Sequence, residues 1–271
     1  MTIPTIKLGN FTLEPAHAPT DPRLSLLLWG PSGHGKTTLA ATAPGTKLWL
    51  LFDPDGALSL ANRTDILVLD LSGEKHTITE KFKSDNPLQI EELLNNRPDI
   101  QTVVFDSATA FAQLATENAV AGVKSATLEN PGLKGYGHRN AVTLRAIVSL
   151  LRLTKRTRRH FIVITHEDSP SMNEQGVVMH ITLALGGKIG DLVGMQINEI
   201  WHLSDTGKER RIAVRACRSR KPMKTRLFHT DKSPEFVWHF DANTLEGDTI
   251  EKWIADWTAN NHQKIPLPSS S

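Results

Sequence analysis

The sequence predicts a three-layer α/β fold on a mainly parallel sheet, with an antiparallel extension toward the C-terminus. Three observations predict it. Short, uninterrupted apolar runs recur through the first two thirds of the chain, the pattern of strands buried on both faces. Segments of helical spacing alternate with those runs, which argues for crossover connections and parallel pairing. A glycine-rich turn, Gly30-Pro31-Ser32-Gly33-His34-Gly35-Lys36-Thr37, separates the first run from the first helix.

The elements follow in order. Leu24 to Trp29 is apolar between Pro22 and Gly30 and reads as the first strand. After the turn a short helix is expected from about Lys36 to Thr42, closed by Pro44-Gly45. Lys47 to Phe52 is the second strand, Ile66 to Leu69 the third and Gln101 to Phe105 the fourth. Pro87 to Arg97 has helical spacing, with Pro87 at a favoured first-turn position. Ser107 to Val120 and Asn140 to Leu153 are the next helices, and Phe161 to Thr165 is a fifth strand. The rhythm then changes. Ile197 to Leu203 and Arg211 to Ala216 read as a hairpin through Ser204-Asp205-Thr206-Gly207, and Glu235 to Phe240 extends that edge. Thr249 to Asn260 closes the chain as a helix, with Asp248 as its cap. The expected organisation is an N-terminal arm over 1–22, a core over 23–262 and a flexible tail over 263–271.

Of the 271 residues, 39% are hydrophobic and 22% charged, which excludes intrinsic disorder for most of the chain. No apolar run approaches the roughly 20 residues of a membrane helix, and the first residues lack the pattern of a secretory signal. Cys217 is the only cysteine, which excludes an internal disulfide and a cysteine-based zinc site. A cytoplasmic protein without a membrane partner is expected.

The net charge of +2 hides an asymmetry. Residues 1–129 carry 10 Lys/Arg against 15 Asp/Glu, whereas residues 130–271 carry 21 against 14. From Asn130 to His166 there are eight bases and no acid; from Gly207 to Lys232 there are ten bases and two acids. Such blocks suit a polyanion-binding face or, more plainly, a solvated helix and a basic hairpin.

The turn matches G-x-x-x-x-G-K-[ST] between a buried strand and a helix, the context in which that pattern cradles phosphate. Gly30, Pro31, Ser32, Gly33, His34, Gly35, Lys36, Thr37 and Thr38 would form the cradle, in which the backbone N–H groups of all but the proline can face phosphate oxygens, aided by the helix N-terminus. Lys36 would reach the β- and γ-phosphates and the Thr37 hydroxyl would ligate Mg²⁺, so ATP and Mg²⁺ are the expected cofactors. Asp106, the first polar residue after the fourth run, is the expected metal-side carboxylate. Asp55, just past the second strand, is the candidate base for water; a plain turn Asp before Gly56 is the competing reading.

Three segments in this order resemble the core of RecA-type recombinases: the P-loop, Phe52-Asp53-Pro54-Asp55-Gly56-Ala57-Leu58, and Val103-Val104-Phe105-Asp106-Ser107-Ala108-Thr109-Ala110. Thr165-His166-Glu167 occupies the place of that family's polar γ-phosphate sensor, and Gly186-Gly187-Lys188 resembles the end of its second DNA-binding loop. The resemblance covers about residues 24–228 and is nearest to the short phage RecA-core proteins classed as single-strand annealing proteins. It implies a RecA-like ATPase core that binds single-stranded DNA, promotes strand annealing or homologous recombination, and forms a homo-oligomer, ring or filament. A single-strand-binding protein is an implied partner. Two departures stand out: Asp55 replaces the usual Glu, and His166 replaces Gln.

The resemblance also implies which loops carry DNA, 124–139 and 168–188. The first presents Lys134, Tyr136, His138 and Arg139 among glycines, a combination suited to phosphate neutralisation and base stacking, although an aromatic there can equally pin the loop to the core. Lys188 is the corresponding cation of the second. Arg218 and Arg220 fall at the i, i+2 spacing of cations that reach a neighbouring subunit's ATP in such assemblies; contact with DNA is the alternative. Two rival functions remain at this level: a DNA-binding assembly protein that uses ATP as a switch, and a P-loop ATPase acting on protein partners in packaging or helicase loading.

Overall fold

The computed structural model of the chain describes residues 6–8, 11–13, 23–121, 123, 126–186, 189–217 and 219–268. In the arm, β1 (Ile6–Leu8) and β2 (Phe11–Leu13) pair antiparallel, a hairpin with no counterpart in the expected elements. The core then runs β3 (Ser25–Gly30), α1 (Lys36–Ala40), β4 (Thr46–Leu51), β5 (Ile66–Asp70), α2 (Ile90–Asn96), β6 (Ile100–Asp106), α3 (Ala108–Val120), α4 (Gly132–Arg156) and β7 (His160–His166). A small hairpin of β8 (Ser171–Met172) and β9 (Val178–His180) precedes α5 (Ile189–Gln196). The chain continues through β10 (Glu199–Asp205), β11 (Arg210–Ala213), β12 (Glu235–Val237), the short pair β13 (Phe240–Asp241) and β14 (Glu246–Gly247), and α6 (Ile250–Ala259).

Eight strands form one mixed sheet in the order β12-β11-β10-β3-β7-β6-β4-β5. The six from β10 to β5 are parallel, while β11 and β12 add antiparallel, as expected. Alternation along each central strand divides its side chains between two cores. Leu27, Trp29, Leu50, Val103, Phe105 and Val163 face α3, α4 and α5. Leu26, Leu28, Trp49, Val104, Ile162 and Ile164 face α1 and α6. Both faces are thus covered, which is why the strands read as continuous apolar runs. Four phenylalanines, Phe52, Phe82, Phe105 and Phe111, cluster on the first side with ring centroids 5.0–6.1 Å apart, edge to face except for the tilted Phe52–Phe105 pair.

Several expectations need correction. The helix expected from Asn140 begins at Gly132, so the glycine-rich segment is its first two turns and not a loop. Each interior glycine costs a helix about 1 kcal/mol, but Val142, Ala146, Ile147, Leu150 and Leu153 bury against α3 and hold the whole length. A Cβ at Gly135 would lie 2.6 Å from that of Pro131, so this glycine admits the close approach that starts the helix. The third strand, β5, is an edge, and Leu67, Val68 and Leu69 are exposed. Helix α5 and the 3₁₀ turns over His76–Lys83 carry no expected counterpart. Thr249, not Asp248, caps α6, its hydroxyl accepting from the Lys252 N–H. The chain also stays docked beyond residue 262: Ile265 is buried, and its backbone bonds to Leu227 and His229. Among the described residues no helix is long and apolar enough to cross a membrane.

Candidate functional site

The site lies at the C-terminal ends of the parallel strands, where open α/β sheets bind ligands. β3 ends at Gly30, whose φ of +144° and approach to the Leu203 carbonyl leave no room for a side chain. The loop then turns into α1 through Gly35, at φ +91°. Its tip is tied to the sheet, because His34 Nδ1 accepts from the Asp205 N–H at 2.9 Å. Lys36 is buried and donates to the carbonyls of Gly30 at 2.9 Å and Pro31 at 2.6 Å. Burial brings its ammonium down to about 8, against the pull of Asp106, Asp53 and Glu167.

Thr37 Oγ1 donates to Asp106 Oδ2 at 3.3 Å, and Trp49 Nε1 donates to the same oxygen at 3.2 Å. Asp106 is 2% exposed. Burial pushes its carboxyl up to about 6, and the nearby Asp53 charge adds to that, while the bonds from Trp49 and Thr37 and the charge of Lys36 oppose it. A hydroxyl and a buried carboxylate converging beside the P-loop are hard oxygen donors that fit Mg²⁺. Among the described residues no cluster of three or more His, Cys, Asp or Glu forms a metal cage, so phosphate and water would complete the shell.

Strand order decides what joins them. β7 lies between β3 and β6, with Gly30 opposite His166 and Ile164 opposite Asp106. His166 therefore stands between the P-loop and the metal-side carboxylate. Its Nε2 is 3.2 Å from Asp53 Oδ2, its N–H donates to Thr109 Oγ1 at 3.0 Å, and its carbonyl accepts from the Ala184 N–H at 2.9 Å. Burial lowers the imidazole pKa, and the Lys36 charge adds to that while Asp53 opposes. A cavity of about 240 Å³ opens between the P-loop, Asp53, Asp106, His166 and Arg210.

One step beyond His166, Glu167 accepts from His202 Nε2 at 2.6 Å. Burial raises the Glu167 pKa against the attraction of Arg220, His34 and Lys36. Arg220 itself lies 3.7 Å from Glu235 at the edge of the sheet. Asp55 falls in the 3₁₀ turn Pro54–Leu60; its side chain, together with Arg218 and Lys188, lies outside the described residues.

Lys134, Tyr136, His138 and Arg139 share the first turns of α4. The Arg139 guanidinium sits 5.0 Å from the Tyr136 ring centroid. Both line a cavity of about 410 Å³ with Thr109 and Leu185. Lys134 is exposed. His138 is half-buried, and its Nε2 is buried without a hydrogen-bond partner among the described residues.

Sequence reasoning gave no role to Asp53, Trp49, Thr109 or Arg210. Asp53 carried a usable signal, since it is the first polar residue after β4, as Asp106 is at the end of β6. Trp49 and Arg210 carried none, because their places depend on strand order and on the β10–β11 pairing.

A family model described as an AAA domain matches residues 23–237, from just before β3 to the end of β12. No curated protein matches the chain.

Proposed function

The chain belongs to the AAA domain family, and from that premise we propose that it is a Mg²⁺-dependent ATPase that binds single-stranded DNA and promotes strand annealing or homologous recombination. In this reading the P-loop amides and Lys36 bind the β- and γ-phosphates. Thr37 and Asp106 hold the metal, which supplies neutralising charge on the phosphate oxygens. Asp55 orients the attacking water, and the Asp53–His166 pair contacts the γ-phosphate. Tyr136, Arg139, Lys134 and Lys188 contact DNA. Subunits assemble as a ring or filament, with Arg218 and Arg220 reaching the neighbour's nucleotide.

One observation carries the link between nucleotide and DNA. Thr109 accepts a hydrogen bond from His166 and also lines the cavity of Tyr136 and Arg139. A shift at the γ-phosphate side of His166 therefore reaches the wall of the aromatic, cationic cavity through one side chain. A second reading, a nucleotide switch without turnover, is favoured by the engagement of both described carboxylates of the P-loop cavity: Asp106 accepts from Thr37 and Trp49, and Asp53 meets His166.

Steady-state ATP turnover with and without single-stranded DNA tests both. DNA-stimulated turnover supports the annealing ATPase. DNA binding without turnover selects the switch. Turnover indifferent to DNA, with no DNA binding, removes the nucleic-acid reading and leaves an ATPase acting on protein partners.

A further inference from the structure

At the opposite end of the sheet the chain builds a third cavity, of about 530 Å³, more than twice the volume of the P-loop cavity. It lies at the N-terminal ends of β3, β7 and β10, about 20 Å from the P-loop at roughly 3.3 Å per strand residue. Five cations line it, Arg23, Arg152, Lys155, Arg158 and Arg159, and no carboxylate does. Leu151 and Phe161 supply an apolar wall, and Gln196 and Asn198 supply amides.

The floor is built and the rim is open. Arg159 is held in place by donating to the carbonyls of Thr157 at 2.7 Å and Leu94 at 3.0 Å. Its Nε is buried without a partner among the described residues. Arg23 Nη1 lies 3.3 Å from His160 Nε2. Burial and the Arg23 charge both lower the pKa of the Arg159 guanidinium, with Asp99 opposing. Two guanidiniums held together in a concave site repel, and a bound anion offsets that repulsion. Arg152, Lys155 and Arg158 are exposed on the rim and form no ion pair among the described residues. Nearby carboxylates are committed elsewhere: Asp99 to Arg97 and Glu91 to Arg156, both at 2.7 Å.

The cavity is also the end of a track. Lys134, Arg145, Arg152 and Arg156 are exposed on one face of α4 at spacings of nearly whole turns, and exposed Lys155 flanks that face. At about 1.5 Å per residue that face runs roughly 30 Å, from Lys134 at the start of the helix to the basic cavity.

We propose that this cavity is a second single-stranded-DNA contact, in which phosphates led along the exposed face of α4 seat over Arg152, Lys155 and Arg158 and against Arg23 and Arg159. The inference rests on the nucleic-acid reading above and assigns it residues which that reading does not use. A continuous cationic face leading into a concave site fits a flexible polyanion better than an isolated small one.

The test compares the full chain with its R152Q/K155Q/R158Q variant, using fluorescence anisotropy of a labelled oligothymidine across a salt series. Loss of three phosphate contacts, at about 0.7 each on single strands, lowers the slope of log K against log salt by about two units. The R152K/R158K variant, which keeps the charge, retains the wild-type slope, and matched melting temperatures verify the fold. Phenylglyoxal labelling read by mass spectrometry shows Arg152 and Arg158 protected by the oligonucleotide. An unchanged slope in the triple variant, while the wild type binds DNA, overturns the cavity and leaves the annealing reading standing. Protection by inorganic tripolyphosphate but not by the oligonucleotide overturns it in favour of a small-anion site. Weakened self-association with unchanged DNA binding overturns it in favour of contact with the acid-rich half of another copy. If the wild type binds no single strand, the annealing reading and this inference fall together, and the absent binding marks that case.

Discussion

His166, the last residue of β7, and Asp53, just past the end of β4, meet at 3.2 Å across β6, the strand that ends in Asp106. A carboxylate only accepts, so the imidazole Nε2 carries the hydrogen of this bond. With its pKa lowered, the ring donates as a neutral group. Both residues line the P-loop cavity. Asp53→Asn and His166→Ala should each leave nucleotide affinity within a few-fold of wild type and lower ATP turnover by about a hundredfold, the typical effect of removing one transition-state donor. Turnover equal to wild type in both variants would take the pair out of the chemistry.

Lys36→Ala should abolish nucleotide binding, because the P-loop places that one cation on the β/γ-phosphates. Asp55→Asn should spare binding and slow hydrolysis. Calorimetric titration with ATP and a phosphate-release assay separate the two effects. Equal hydrolysis rates for wild type and Asp55→Asn would eliminate Asp55 as the base.

The depressed ammonium of Lys36, near 8, gives nucleotide affinity a pH limit. The charged form attracts phosphate, so affinity should fall as pH rises from 7 through 8 to 9.5. Lys36→Arg, which stays protonated, should bind more weakly but with a flatter profile. The same shift acts on stability with the opposite sign. Burying the charged amine costs the apo protein up to about 3 kcal/mol below pH 8, a cost relieved as pH rises toward 10.5. Affinity measured across this range without a decline would show that binding takes up no proton at Lys36, so that its ammonium is not depressed in the free protein.

Double replacement of Lys134 and Arg139 by Ala should flatten the salt dependence of single-strand binding by roughly one to two units. Sequence preference should stay weak, because backbone charge and stacking on Tyr136 tolerate any base. A slope identical to wild type would place the DNA path away from the start of α4.

Arg218 and Arg220 are tested by mixing. A subunit with both changed to Ala keeps its own P-loop, whereas a Lys36→Ala subunit keeps its arginines. Each alone should hydrolyse little ATP, and the mixture should recover activity well above either parent, since charge-assisted contacts desolvated between subunits are strong. Co-assembly without recovery would assign the arginines to DNA.

The three-layer fold, the P-loop and Asp106 were legible in the sequence because each is written locally. Apolar runs such as Leu24 to Trp29 report strands buried on both faces, and the glycine spacing around Lys36 reports a turn whose amides face inward. Helix α4 shows where local reading stops. Its glycines argue for a loop, and only packing of Val142, Ala146 and Leu150 against α3 overrides them.

The rest was decided by strand order. Asp53 and His166 are 113 positions apart, and they meet because β4, β6 and β7 lie side by side in that sheet. Arg23, Arg159 and Asn198 come from three remote segments, and they share one cavity because β3, β7 and β10 are neighbours whose N-terminal ends point the same way. Hydrophobic periodicity fixes which face a residue takes but not which strand lies beside it. That choice is made by the packing of helices on both faces of the finished sheet, so the P-loop could be read from the chain alone, while its partners and the basic cavity at the other end came only from the tertiary structure.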